Sequence, residues 1–78
     1  MPNQETKIIL QPGHIKAYRF IEKYITKNII SPEIGEISKG TKVTVRHTYR
    51  VVDDLCVLGY LKREPYRRRS IEILKPLQ

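Results

Sequence analysis

Four arginines stand close together near the C-terminal end, at Arg63, Arg67, Arg68 and Arg69, around the turn-forming Glu64-Pro65-Tyr66. A guanidinium is a planar fork that can hold a phosphate through two hydrogen bonds, and it is drawn to the negative potential of a narrow minor groove. Three consecutive arginines repel one another unless something negative lies against them, so the run points to a polyanion contact. A charged hairpin edge that blocks strand pairing is the plainer alternative. A second set, Arg46, His47, Tyr49 and Arg50, lies upstream behind Thr44. Its guanidinium, imidazole and phenol groups can donate to base edges or phosphates. Taken alone, that set also fits an ordinary solvated helix face.

Other chemistry finds little footing. The balance of 15 Lys+Arg against 8 Asp+Glu, a formal net charge of +7, favours an extended polyanion, nucleic acid first. Apolar residues are spread over several short periodic segments, which argues against a single amphipathic stretch lying on a membrane. There is no run of about 20 apolar residues, and Met-Pro-Asn-Gln-Glu has no basic region leading into an apolar one. Neither a membrane span nor a signal peptide is expected, and the cytoplasm is the expected location. The single Cys56 with the distant His14 and His47 makes neither a disulfide nor a four-ligand zinc site. No Gly-rich phosphate loop, HExxH pair or CxxC pair occurs, and no Asp-His pair is placed to activate a hydroxyl nucleophile. Ser31, Thr44 and Ser70 read instead as caps at element boundaries, and His14 as a solvated or capping residue. A chain of 78 residues makes one domain and leaves little material to enclose a deep pocket. No enzyme activity, cofactor, metal or small-molecule substrate is therefore expected.

These groups must be positioned by elements that the apolar spacing reveals. Residues 1–9 read as an N-terminal arm and 10–75 as the domain. From Pro12 to Asn28, Ala17, Tyr18, Ile21, Tyr24 and Ile25 recur at spacings of three and four, the mark of an amphipathic helix started by a proline in its first turn. Ser31-Pro32-Glu33 reads as the start of a second helix, running to Lys39 and stopped by Gly40. After Thr41-Lys42-Val43, Thr44 caps a third helix with Thr48, Val51, Val52, Leu55 and Leu58 on one face and Gly59 at its end. Beyond Gly59 the period falls to two, in Tyr60–Arg63 and again in Ser70–Leu74, so two antiparallel strands flank the arginine loop. The predicted fold is mainly α with a small antiparallel β-hairpin, a winged helix-turn-helix of three helices plus a wing. Its third helix, roughly 21 Å long, suits a major groove about 12 Å wide. The face carrying Arg46, His47, Tyr49 and Arg50 would enter first, and Asp53 and Asp54 would keep the later turns away from phosphates.

With the elements in place, Leu10 to Leu74 resembles the N-terminal DNA-binding domain of the LexA family of repressors. Ser31-Pro32-Glu33-Ile34-Gly35-Glu36-Ile37-Ser38 is similar to that family's SPxxxEIA motif. Gly59-Tyr60-Leu61-Lys62-Arg63-Glu64-Pro65, Arg67, Arg69 and Ile71-Glu72-Ile73-Leu74 follow its GYLxRDPxRxRxIEVL wing. The resemblance implies that Thr44, Arg46, His47, Tyr49 and Arg50 contact bases and phosphates. The sequence departs from the family at Gly40-Thr41-Lys42-Val43, which is one residue shorter, with Thr41 where the family places a core leucine. It also departs at Cys56-Val57-Leu58, an apolar run that is either extra core under the arm or a surface for self-association. The four residues after Leu74 hold no counterpart of the family's self-cleaving domain, so induction by self-cleavage is not expected.

The expected function is sequence-specific binding of double-stranded DNA by a transcriptional regulator, a repressor by preference, of the compact kind that plasmids and viruses encode. Weak pairing into a homodimer on DNA is expected with it. A winged-helix interaction module whose basic wing binds an acidic protein is the rival from another class. A replication-initiation or structural role on DNA is the rival within the same class.

Overall fold

The computed structural model describes residues 8–77; most of the expected N-terminal arm lies outside them. Three helices, α1 (Pro12–Asn28), α2 (Ile34–Thr41) and α3 (Val45–Val57), precede strands β1 (Leu61–Lys62) and β2 (Glu72–Ile73). The strands pair antiparallel, Leu61 opposite Ile73 and Lys62 opposite Glu72. This is the mainly α winged helix-turn-helix that the spacing predicts.

The core is what the apolar stripes converge on. Tyr18 and Ile21 from α1, Ile37 from α2, Val52 and Leu55 from α3, and Leu61 with Ile71 from the hairpin are all buried. The Tyr18 hydroxyl reaches past this cluster and donates to the Lys75 carbonyl at 3.0 Å, tying the segment after β2 to α1.

α1 begins with Pro12 in its first turn, and His14 Nδ1 accepts from the Gln11 backbone N–H at 3.0 Å. The expectation that His14 caps this helix holds, but the ring is buried rather than solvated. With Nδ1 accepting, the proton sits on Nε2, which donates to Asp54 Oδ2 at 2.9 Å and ties the start of α1 to α3. At the other end the chain turns through Ile29 in the left-handed region, φ 64°. That conformation costs an L-residue roughly 1–2 kcal/mol, and a β-branched one adopts it rarely. Just beyond this turn Ser31 and Pro32 are buried, and the Ser31 hydroxyl meets the Ile71 N–H of the wing.

α2 departs from the sequence reading at both ends. Ser31 does not cap it; its hydroxyl donates to the Pro32 carbonyl at 2.9 Å and accepts the Ile71 N–H at 3.0 Å, so it joins the helical part to the wing. The cap is Glu33, whose backbone N–H is held by Glu36 Oε1 at 2.8 Å. Gly40 does not stop the helix but lies within it, and Lys42, φ 63°, is the residue that turns out of it. Glycine at 40 leaves space for α1: a Cβ there would overlap the Phe20 ring, which would have to move. Thr41 occupies a buried position, and its hydroxyl is satisfied by the Ile37 carbonyl at 2.7 Å.

α3 follows the sequence closely. Thr44 Oγ1 accepts the His47 N–H at 3.1 Å, and Thr48, Val51, Val52 and Leu55 are buried. Gly59, φ 88°, adopts the left-handed conformation that carries the chain into β1. Each strand is shorter than the alternation suggests, with only two residues paired. The intervening loop is folded by Ser70, whose Oγ accepts the Glu64 N–H at 3.0 Å and lies 2.9 Å from the Arg67 carbonyl.

Candidate nucleic-acid interface

The residues proposed from α3 are divided between two surfaces. Arg46, His47 and Arg50 are exposed and line one open depression with Thr44, Asp53 and Asp54. Arg46 and Arg50 are one helical turn apart, so both guanidinium groups project from the same side of the leading half of α3. Tyr49 faces another way, into a cleft of about 320 Å³ between the start of α2 and the wing. The Arg63 guanidinium carbon lies 5.4 Å from the centre of the Tyr49 ring, and Arg63 Nη2 bonds Asp53 Oδ1 at 3.3 Å. Arg63 thereby spans from the wing to α3.

The wing arginines are likewise unequal. Arg69 is committed inward: it forms two 3.1 Å bonds to the Glu36 carboxylate, one of 3.0 Å to the Ser31 carbonyl and one of 3.3 Å to the Tyr24 hydroxyl. Arg68 lies mostly in solvent but donates to Glu33 Oε2 at 2.8 Å. Arg67 is exposed. Arg46, Arg50 and Arg67 have no carboxylate within ion-pair distance among the described residues. Asp54 is held by His14 and Asp53 by Arg63, so the two acids expected only to repel phosphates are internal partners. His14–Asp54, Glu33–Arg68 and Glu36–Arg69 escape a reading along the chain because each joins residues more than thirty positions apart.

The brace at Arg69 carries a charge consequence. The Glu33 backbone N–H and then the Arg69 guanidinium hold the Glu36 carboxyl below its ordinary value of 4.5. A carboxylate lowered in the folded state contributes stability that is complete above its unfolded value and is lost as pH falls through the folded one. The difference in unfolding midpoint between the wild-type chain and Glu36→Gln is therefore expected to be largest near pH 6 and to shrink below about pH 4. A pH-independent difference in thermal melts would show that the carboxylate charge does not hold the wing.

Among the described residues no group of three or more His, Cys, Asp or Glu side chains could hold a metal ion. No described helix is long and apolar enough to cross a membrane.

No protein-family model matches the chain. It is 40% identical over 60 residues, 77% of its length, to a LexA repressor of Thermosipho melanesiensis, and the match covers 30% of that protein. To a LexA repressor of Moorella thermoacetica it is 35% identical over 68 residues, 86% of this chain and 33% of the relative. To that of Thermosipho africanus it is 41% identical over 56 residues, 72% and 28%. The chain thus spans about a third of the length of the curated relatives it matches. Over most of its own length, this winged helix-turn-helix is similar to the N-terminal part of LexA repressors.

Proposed function

We propose that the chain binds double-stranded DNA in a sequence-specific manner and represses transcription, and that it needs no cofactor or catalysis to do so. Thr44, Arg46, His47 and Arg50 enter the major groove at the leading end of α3, with Tyr49 beside them at the cleft. Arg67 and Arg68 at the outer side of the wing meet backbone phosphates or the minor groove. Arg63 and Arg69 act from behind, holding the wing against α3 and α2 at the angle that lets both surfaces reach one duplex. The observation that carries this reading is the pair of guanidinium groups at Arg46 and Arg50, one turn apart on an exposed helix face and without acidic partners among the described residues. The similarity to proteins named LexA repressors supports it.

Affinity for random duplex, measured across a salt series, tests the proposal. Each phosphate neutralised should contribute a slope of about −0.9 in log affinity against log salt. No binding at low salt would overturn it and leave an acidic protein as the better partner. Self-association is expected to be weak and to occur mainly on DNA, through the exposed end of α3, where Val57 is 64% accessible. Val57→Lys should then abolish cooperative occupancy of a double site without changing affinity for a single one. A tight dimer sedimenting at nanomolar concentration would contradict this.

A further inference from the structure

Resting on the DNA-binding reading above, we infer that Glu33 is a built-in competitor that tempers the affinity of the wing for DNA: its carboxylate occupies Arg68 in the free protein and competes with DNA phosphate for that side chain. The Arg68 side chain is 84% exposed, yet its Nε donates to Glu33 Oε2 at 2.8 Å. The same oxygen lies 3.5 Å from Arg69 Nε. Glu33 is 27% exposed, at the edge of the cleft that also presents Tyr66 and Arg67. Arg68 Nε and Nη2 both converge on Glu33 Oε2, so the carboxylate gives the guanidinium an anionic acceptor of the kind a phosphate oxygen would supply.

The two charged pairs of the wing differ in a way that suits different tasks. Arg69 has four bonds to three residues, so exchanging Glu36 for a phosphate would abandon Ser31 and Tyr24 as well. Arg68 has a carboxylate and little else, on the solvent side, where an ion pair is worth little and a phosphate can replace it. Glu33 therefore lowers sequence-independent affinity, because any duplex must displace it before Arg68 contributes. Specific and random duplexes present the same phosphates, so the competition lowers affinity for both alike and sets the overall strength of binding, while base preference stays with α3.

The consequence is a coupling that simple loss of a negative charge would not produce. Glu33→Gln should raise affinity for random duplex about three- to tenfold near 0.1 M salt and steepen the salt slope by up to about 1 unit. Arg68→Ala in the wild-type chain should change that affinity less than about twofold, whereas in the Glu33→Gln chain it should remove all of the gain beyond that expected from losing one negative charge. Glu72→Gln, which removes an equal charge from β2 without an ion-pair partner among the described residues, should give a smaller gain that Arg68→Ala leaves in place. Thermal melts of each variant control for folding. Because Arg68 is exposed, its substitution keeps the comparison valid even if Glu33→Gln shifts the melting point. If the wild-type chain binds duplex and Arg68→Ala costs the same there as in the Glu33→Gln chain, the inference is wrong and the DNA-binding reading stands. If no duplex is bound by any variant, both fall.

Discussion

Arg50→Ala is expected to flatten base preference at one or two positions of the selected site and to leave affinity for random duplex nearly unchanged, while Arg67→Ala does the reverse. Arg50 projects from the exposed leading half of α3. A bidentate guanidinium on a guanine is worth about 1–3 kcal/mol of discrimination, and a missing donor should appear as that loss at specific base pairs. Arg67 stands at the outer side of the wing with no acidic partner among the described residues. A phosphate contact carries no sequence information, so its removal should weaken specific and random duplexes together and make the salt slope shallower by about 1 unit. Arg46→Ala should resemble Arg50→Ala, at a neighbouring base pair. The experiment is a selection from random duplexes, followed by titration of the selected and a scrambled site at several salt concentrations. Equal losses on both duplexes for Arg50→Ala would remove base reading from α3.

Gly40→Ala should destabilise the domain, against the sign that helix propensity predicts. Within a helix, replacing glycine by alanine at an exposed position ordinarily stabilises by about 1 kcal/mol. Here the added methyl would overlap the Phe20 ring. The ring would have to swing out, giving up its packing on the core and its tilted contact with Tyr24, whose ring centre lies 6.0 Å away. Overpacking of this kind costs about 1–3 kcal/mol, so the steric term outweighs or at least cancels the propensity gain. In a domain of this size each 1 kcal/mol lowers the unfolding midpoint by about 4–8 °C. Phe20→Leu by itself should be mildly destabilising, and in the Gly40→Ala chain it should restore part of the loss. A higher melting temperature for Gly40→Ala would mean that α1 and α2 do not approach through this pair. DNA binding should fall with the same substitution even where the domain stays folded, because the packing of α2 on α1 sets where α3 begins.

The stretches that read correctly are those whose determinants lie within one turn of one another. Thr44 caps α3 because its hydroxyl meets the N–H of His47 three residues on, and Val51, Val52 and Leu55 face the core because of their helical spacing. Gly59 takes a conformation that other residues adopt only with strain, so its role is legible without any knowledge of the rest of the molecule. The basic character of the α3 face and of the wing is equally local, since it depends only on which residues are charged.

Where the reading failed, a distant partner overrode a local preference. Ser31 has the composition of a cap, but its hydroxyl is taken by Ile71, forty residues away, and Glu33 caps α2 instead. Gly40 resembles a helix stop, yet it lies inside α2, where the Phe20 ring of another helix fills the space a Cβ would take. The strands are cut to two residues each because Ser70 folds the loop back on itself. The four wing arginines look equivalent along the chain, and only packing assigns Arg69 to Glu36, Arg68 to Glu33 and Arg63 to Asp53, leaving Arg67 outside these pairs. Spacing and charge are properties of the chain itself and determined the elements and the sign of the surface. Which charges are neutralised within the molecule depends on surfaces brought together from remote positions, and that was decided by the tertiary structure alone.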